Sequence, residues 1–509
     1  MQRFYLYLNL TKPSEKLFLS YCRTNAKGES LMPSYLIGSF RKMFPGLEVR
    51  DAGETTAGPE TPLDALPVFL EGLHQAVNGQ AAPEFLELYR WYKNHPEAGI
   101  PADDYVEAAF FQNPKDVIGR TAAHALYGQV LTNSATRLEK YAACAFAHFM
   151  EYGLRLQERV QYEFKANDMG SVMHEALEQF SRLLEKEGLD WKSLDEEERN
   201  RLIDESVEAV IGDYGNTILQ SSSRNRYMIL RVKRILRRTV WALQEQLKKG
   251  SFTPGAFEVS FAMEDSLDAI NITLSDEEKL RLRGRIDRMD VCEKDDTVYV
   301  KIIDYKSGNT SLDLVALYYG LQLQLVVYMD AALELEEKKH PGKEVEPAGI
   351  FYYHIGDPML EKKDGETDEA WNRRLLAALK MDGLVNADLE VVSLLDHTIG
   401  AGASSDVVPV GYKKDGSFSS YSRVATREEF SVIRKYAELK IREIGRGILD
   451  GNAEAAPYQL GTRNACTFCP YGGICGFDQR LPGFRYRKLK TLDDFELLRA
   501  MQEDVETWE

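Results

Sequence analysis

The chain has 509 residues, of which 44% are hydrophobic and 28% charged, and it carries a net charge of −17. That size suits two or three domains with a core that needs no disulfides, and no run is long and apolar enough to span a bilayer. The start, MQRFYLYLNLTK, has no signal-peptide core, so cytoplasmic residence is expected, and the acidic balance excludes broad, nonspecific attraction to nucleic acid without excluding a local basic track.

Residues 1–50 contain two strand-like runs, RFYLYLNL and EKLFLSYC, and a helix over PSYLIGSFRKMF. This is too little for a domain and is expected to be the last piece of a fold whose earlier part lies outside this chain. Residues 51–62, DAGETTAGPETP, read as a loop or linker, and 63–130 as helical with breaks at His95-Pro96 and Gly99-Ile100-Pro101. The expected divisions are therefore 1–50, a helical connector over 51–130, a main domain over 131–480 and a C-terminal tail over 481–509. Helices continue from the cap-like TNSATRLEKY to about residue 252. Within them Arg231, Arg234 and Arg238 recur at helical spacing opposite Ile229, Val232 and Leu236, either a solvated face or a strip facing DNA.

Residues 256–306 read as a β meander: FEVSFAMED, LRLRGRIDRMDVCE and TVYVKIIDYK, the last two joined by a turn at Lys294-Asp295-Asp296. Helix returns over 311–338, a strand over AGIFYYHIG, and a helix from residue 427 to its stop at Gly451. The expected fold class is α/β, a central mixed sheet flanked by helices.

The run VYVKIIDYKSG places Asp304 and Lys306 on the strand face shared by Val298, Val300 and Ile302, charges set at the rim of a core. A hairpin connection brings GRIDRMD alongside, so that Asp287 faces Asp304. Two carboxylates with separate anchors suit a hard cation such as Mg²⁺, with Lys306 orienting a water or steadying developing charge during phosphodiester hydrolysis. Strict alternation, however, groups Asp287 with Arg283 and Arg285 and leaves Asp290 as a competitor on the other face; Asp304 with Lys306 also fits a strand-end ion pair. Upstream, MGSVMHEALEQF sets His174 and Glu178 four apart on one helix face, a source of a third ligand or a structural histidine. Downstream, in YYGLQLQLVVYM, Gln324 and Tyr328 are likewise four apart, reaching a phosphate or nucleobase beside the metal, or satisfied within a buried helix.

CTFCPYGGIC supplies Cys466, Cys469 and Cys475, one short of a tetrahedral set. Cys144 is the first choice for the fourth, ahead of His148, Cys22 and Cys292; spacing alone does not separate zinc from an iron-sulfur cluster. Either would clasp the two ends of the 144–475 segment.

Taken in order, Gly170/His174, GRIDRMD, DYKSG, QLQLVVY and the split cysteine set resemble the RecB-type branch of the PD-(D/E)XK nucleases, and within it the C-terminal half of the AddB subunits of bacterial AddAB helicase-nucleases. FYYHIGDP, KMDGLV and CTFCPYGGICGFD extend the likeness. The resemblance implies a Mg²⁺-dependent DNA exonuclease acting in double-strand break processing beside an AddA-like helicase-nuclease subunit. It implies His174, Asp287 and Asp304 on the metal, Lys306 as catalytic lysine, Gln324 and Tyr328 in support, and a [4Fe-4S] cluster on Cys144, Cys466, Cys469 and Cys475. A catalytically inactive DNA-binding scaffold of the same fold is the alternative. No G-x-x-x-x-G-K-[ST] occurs, so the chain is not expected to hydrolyse ATP by itself.

Overall fold

The computed structural model describes residues 2–25, 30–50, 59–111, 117–157, 159, 166–213, 222–261, 267, 270–481 and 483–508. These fall into two compact units, 1–111 and 112–509.

The first unit is helical: α1 (Gln2–Thr11), α2 (Tyr35–Met43), α3 (Pro62–Val77), α4 (Pro83–Asn94) and α5 (Ala102–Ala109). Thr61 caps α3 through the Asp64 N–H at 3.2 Å, and Pro62 and Pro83 sit where a helix needs no N–H donor. Phe69 holds the small core together, its ring centroid 5.3 Å from those of Phe85 and Tyr92. The strand expected over RFYLYLNL is instead α1, and EKLFLSYC is irregular. An alternating apolar run becomes a strand only beside another strand; without one, the helix satisfies the backbone within the segment itself.

The second unit opens with α6 (Arg120–Tyr127), β1 (Val130–Asn133), α7 (Ala135–Ala143) and α8 (Ala145–His148), followed by a π-turn over Phe149–Gly153. Ser134 caps α7 as its position suggests. Next come α9 (Ala166–Glu187), α10 (Glu196–Asp213) and α11 (Ser223–Lys248), then β2 (Thr253–Ser260), β3 (Asn271–Thr273), β4 (Lys279–Leu282), β5 (Arg285–Lys294) and β6 (Thr297–Lys306). The chain continues through α12 (Leu314–Tyr318), α13 (Gln324–Lys339), β7 (Glu344–His354), α14 (Asp368–Ala378), β8 (Asp382–Asn386), α15 (Leu389–Leu395), β9 (Val424–Ala425) and α16 (Arg427–Leu449). It ends with β10 (Tyr458–Leu460), β11 (Arg463–Asn464), α17 (Gly472–Cys475), β12 (Arg487–Lys488) and α18 (Asp494–Trp508).

Six strands form the mixed sheet, in the order β2-β5-β6-β7-β8-β9. β6 runs antiparallel to β5 and parallel to β7, and both central strands are buried on both faces, which is why they read as continuous apolar runs. Val300, Ile302, Ile350 and Tyr352 face a core shared with α12, α13, α16 and α18. Ile303, Tyr305, Phe351 and Tyr353 face the core of α9, α10 and α11. Residues 481–509, expected as a tail, contribute Leu497, Met501 and Val505 of α18 to the first of these cores.

Two small sheets, β1-β4-β3 and β11-β10-β12, were not anticipated. LRLRGRIDRMDVCE is accordingly not one strand. It breaks at Arg283-Gly284, where a Cβ on residue 284 would lie 2.3 Å from the Phe261 ring and 3.0 Å from that of Tyr328. No described helix is long and apolar enough to cross a membrane.

Candidate active site

The site lies where β5 and β6 end against α9 and α13. Register pairs Arg288 with Ile303, and one step beyond, where pairing lapses, Asp287 comes opposite Asp304. Paired residues of an antiparallel ladder share a face, so both carboxylates fall on the side of Ile302. The β4/β5 break separates Asp287 from Arg283 only; Arg285 stays two residues before it in β5, where it is paired with Glu258. Asp290 is removed as a competitor: completely buried, it accepts from Arg288 at 2.6 and 3.0 Å and lies 2.8 Å from Lys301, on the opposite face. There the Arg288 guanidinium also covers the Trp191 ring at 5.1 Å.

Asp304 is 1% exposed. Its Oδ1 accepts from Gln324 Nε2 at 3.0 Å, and Lys306 Nζ stands 2.5 Å from its Oδ2, off the direction of a hydrogen bond. Lys306 Nζ donates to Gln324 Oε1 at 3.0 Å, while Gln324 Nε2 also meets the Tyr328 hydroxyl at 2.9 Å. The i, i+4 spacing thus joins Gln324 and Tyr328 to the Asp304/Lys306 pair instead of merely satisfying them within a helix. The first turn of α13 is held by Glu139 of α7, whose carboxylate accepts the N–H groups of Leu323 and Gln324 at 2.7 and 3.1 Å.

Asp287 Oδ2 accepts the Tyr305 N–H at 2.8 Å and lies 3.3 Å from His174 Nδ1. Gly170 lets α9 come this close: a Cβ there would stand 2.7 Å from Ser307 Oγ. His174 and Asp287 are joined by Glu258 of β2, and the three offer ligand atoms all within 4.8 Å of one another. Glu258 was not anticipated. It has a left-handed φ of 49° and an ion pair with Arg285, and the sole hint in the sequence was an acid within a half-buried strand. Glu178, the other member of the helical pair, is paired with Arg182 and stands outside this group.

Burial, followed by the Asp287 charge, pushes Asp304 up to about 7 despite Lys306, and pushes Glu258 up to about 7 despite Arg285. Burial alone would lower His174, but the hydrogen bond and charge of Asp287, with Asp304 and Glu258, raise it above its usual value. Asp304 Oδ2 and Glu258 Oε2 are both buried, and each faces one cation, the Lys306 amine and the Arg285 guanidinium respectively.

The cysteines also converge. Cys144 is buried at the start of α8 in a cluster with Ala147, Met150 and Tyr471, and Cys469 packs against it. Burial pushes its thiol up, with Cys469 and Cys466 adding to the rise; Cys466 is raised by burial, Cys469 and Cys475. Asn464 Oδ1 takes the Cys466 N–H at 2.9 Å, shaping the loop that presents Cys466 and Cys469. His148 instead faces the rings of Tyr127, Tyr141 and Tyr152. Cys292 lies in the core beside α9–α11, and Cys22 belongs to the first unit.

The basic face of α11 is partly spoken for: Arg234 and Arg238 both reach Asp357, at 2.7 and 3.7 Å. Val232, Leu236 and Ile229 pack inward as expected.

Comparison with known proteins places these features in a family. The chain is 40% identical over 515 residues to the B subunit of the ATP-dependent helicase/deoxyribonuclease of Lachnoclostridium phytofermentans, with 99% of this chain and 43% of that protein covered. Proteins of the same name from Caldanaerobacter subterraneus and Alkaliphilus metalliredigens are 36% and 35% identical, each covering 99% of this chain and 44% of the relative. The chain therefore spans less than half the length of these relatives, and the resemblance to AddB proteins is borne out. Residues 132–476, from β1 through α17, match the PD-(D/E)XK nuclease superfamily, and the chain belongs to that family.

Proposed function

We propose that this chain is the nuclease part of a helicase-deoxyribonuclease subunit, hydrolysing phosphodiester bonds of a DNA strand as a Mg²⁺-dependent exonuclease in double-strand break processing. The observation that carries this reading is the meeting of Asp287 and Asp304 on one face with the Lys306 amine 2.5 Å from Asp304. A pure clamp for DNA gains nothing from acids beside a phosphate path, since they repel the backbone. The relatives are named for an ATP-dependent helicase joined to a deoxyribonuclease. By that analogy the partner is an AddA-like motor subunit.

His174, Glu258, Asp287 and Asp304 are the residues that would hold Mg²⁺; the donor set of three carboxylates and one imidazole, three of them with ligand atoms within 4.8 Å of one another, suits a hard cation. When bound, the cation supplies polarisation of a phosphoryl oxygen and acidification of a water. Lys306, steered by Gln324, directs its amine at the attacking water or the phosphoryl oxygen where negative charge grows. Tyr328 fixes Gln324, and Glu139 fixes the helix end that carries it, so the amine is placed before substrate arrives.

Cys144, Cys466, Cys469 and Cys475 are proposed to hold a [4Fe-4S] cluster. That choice over zinc rests on the resemblance of the split cysteine set, since four cysteines serve either group.

The test is cleavage of end-labelled single-stranded DNA with Mg²⁺ or EDTA by wild type and Asp304→Ala, with circular DNA alongside. Mg²⁺-dependent shortening of linear DNA alone, lost in the variant, is expected. Indifference to both the cation and the mutation would leave a DNA-binding scaffold instead. Iron and sulfide assays on the same sample decide between cluster and zinc.

A further inference from the structure

A cavity of about 650 Å³ opens between β1, α7, residues 151–157 and the Pro470-Tyr471 corner of the cysteine segment. No residue of the metal site lines it, yet the two are built on shared elements. Asn133, in its wall, accepts the Arg283 N–H at 2.7 Å, four residues before Asp287, and α7 offers Arg137 to the cavity and Glu139 to the helix end bearing Gln324.

The wall chemistry is specific. Tyr127, Tyr152 and Tyr471 supply aromatic surface, and Arg137 lies over the Tyr152 ring at 4.7 Å. Glu151 is paired with Lys140 at 3.0 Å, whereas neither Arg137 nor Arg155 has a carboxylate partner among the described residues, so the cavity is positive within an acidic chain. Asn133 is 4% exposed and its amide nitrogen has no hydrogen-bond partner, a buried donor that an acceptor on a ligand would satisfy. The wall is also strained: it follows the π-turn over 149–153, and Arg155 takes a left-handed φ of 54°. Gly153 admits this path, since a Cβ there would stand 2.6 Å from the Tyr127 hydroxyl.

A purely apolar ligand would leave Arg155 and the Asn133 donor unmet, and a simple anion would fill little of a cavity of about 650 Å³. A nucleotide uses all of them: a flat base with acceptor atoms, and a phosphate. We propose that this cavity takes one nucleotide of the single strand on its way to the metal site, the base among Tyr127 and Tyr152 with an acceptor toward Asn133, the phosphate toward Arg137 and Arg155. The proposal rests on the chain acting on DNA, and it makes the pocket depend on the cysteine segment, because the Tyr471 hydroxyl donates to Leu156 O at 3.1 Å.

The experiment measures binding of fluorescent (dT)₂₀ to the full chain in EDTA, by anisotropy, for wild type, Asn133→Leu and Arg155→Gln. Each variant is expected to bind about tenfold more weakly. Arg155→Gln should also lower the salt slope by about 0.7. Arg155 is exposed, so its replacement keeps the test valid should Asn133→Leu fail to fold. An oligonucleotide carrying 5-iodouracil is expected to photo-crosslink to Tyr127 or Tyr152. Wild-type affinity in Arg155→Gln, or crosslinks confined to residues outside the cavity, overturns the proposal. Thymidine monophosphate binding as tightly as (dT)₂₀ overturns it too, in favour of a site for free nucleotide. If wild type fails to cut DNA while the variants lose binding and crosslinks map here, the pocket stands and the nuclease reading falls; if wild type cuts and the variants bind normally, only the pocket falls.

Discussion

Cation binding at the candidate active site should be strongly linked to pH. Asp304 and Glu258 both titrate near 7 without a cation, because burial and the Asp287 charge oppose their ionisation. A cation requires both as carboxylates. At pH 6 each is about 90% protonated and at pH 8 about 90% ionised, so apparent affinity for Mg²⁺ should rise about 100-fold across that interval. About one proton should leave these two groups per ion bound at pH 7, and His174, also raised, adds to the count in the same direction. Calorimetric titration with Mg²⁺ in two buffers of different ionisation enthalpy counts those protons directly. Glu258→Gln should roughly halve both the proton count and the pH slope. The sign for stability is the reverse of the usual acid case. Between about pH 4 and pH 7 the unfolded chain has shed protons that the folded site keeps, so the cation-free protein loses stability as pH rises through that window. An affinity that changes less than threefold from pH 6 to 8, with no proton release, would refute the reasoning.

Gln324→Ala frees Lys306 and Asp304 from their common partner, and kcat for DNA cleavage should fall about tenfold or more with KM little changed. Asp290→Ala strands Arg288 and Lys301 in the core, and urea denaturation should show a loss of about 3–5 kcal/mol. Gly284→Ala drives a methyl into Phe261 and Tyr328; a cost of about 1–3 kcal/mol is expected, together with reduced cleavage because Asp287 follows three residues later. On the proposed cluster, Cys144→Ser should purify with less iron than wild type and melt several degrees lower, as read by metal analysis alongside calorimetry.

The residues that could be read from the sequence are those whose partners lie within one periodic element or in adjoining strands. Asp304 and Lys306 share a face by strand alternation, Gln324 and Tyr328 by the helical turn, and the Gln324 amide joins the two pairs by bonding to both Asp304 and Lys306. Spacing alone left His174 a third ligand or a structural histidine, and only the resemblance set it beside Asp287, since α9 is brought to β5 by packing that Gly170 permits against Ser307. The basic face of α11 looked open because Asp357, its counter-charge, is more than a hundred residues away.

Asp287 against Asp290 shows why the remainder was hidden. The two differ by an odd number of positions, so whichever one faces Asp304, the other faces away, and the choice turns on register. Alternation groups Asp287 with Arg285 within β5 as well, so neighbouring charges along the strand do not decide; the register of β5 on β6 does. The break at Gly284, which ends β4 before β5 begins, exists because Phe261, from another part of the chain, occupies the space a side chain would need. Glu258 escaped notice for the same kind of reason: its membership depends on β2 pairing with β5 and on a left-handed backbone that no local propensity favours. A strained acid, poised near neutrality and turned toward two other ligand groups, is what a cation site demands of the fold, and it is a demand that local sequence preferences oppose instead of announcing.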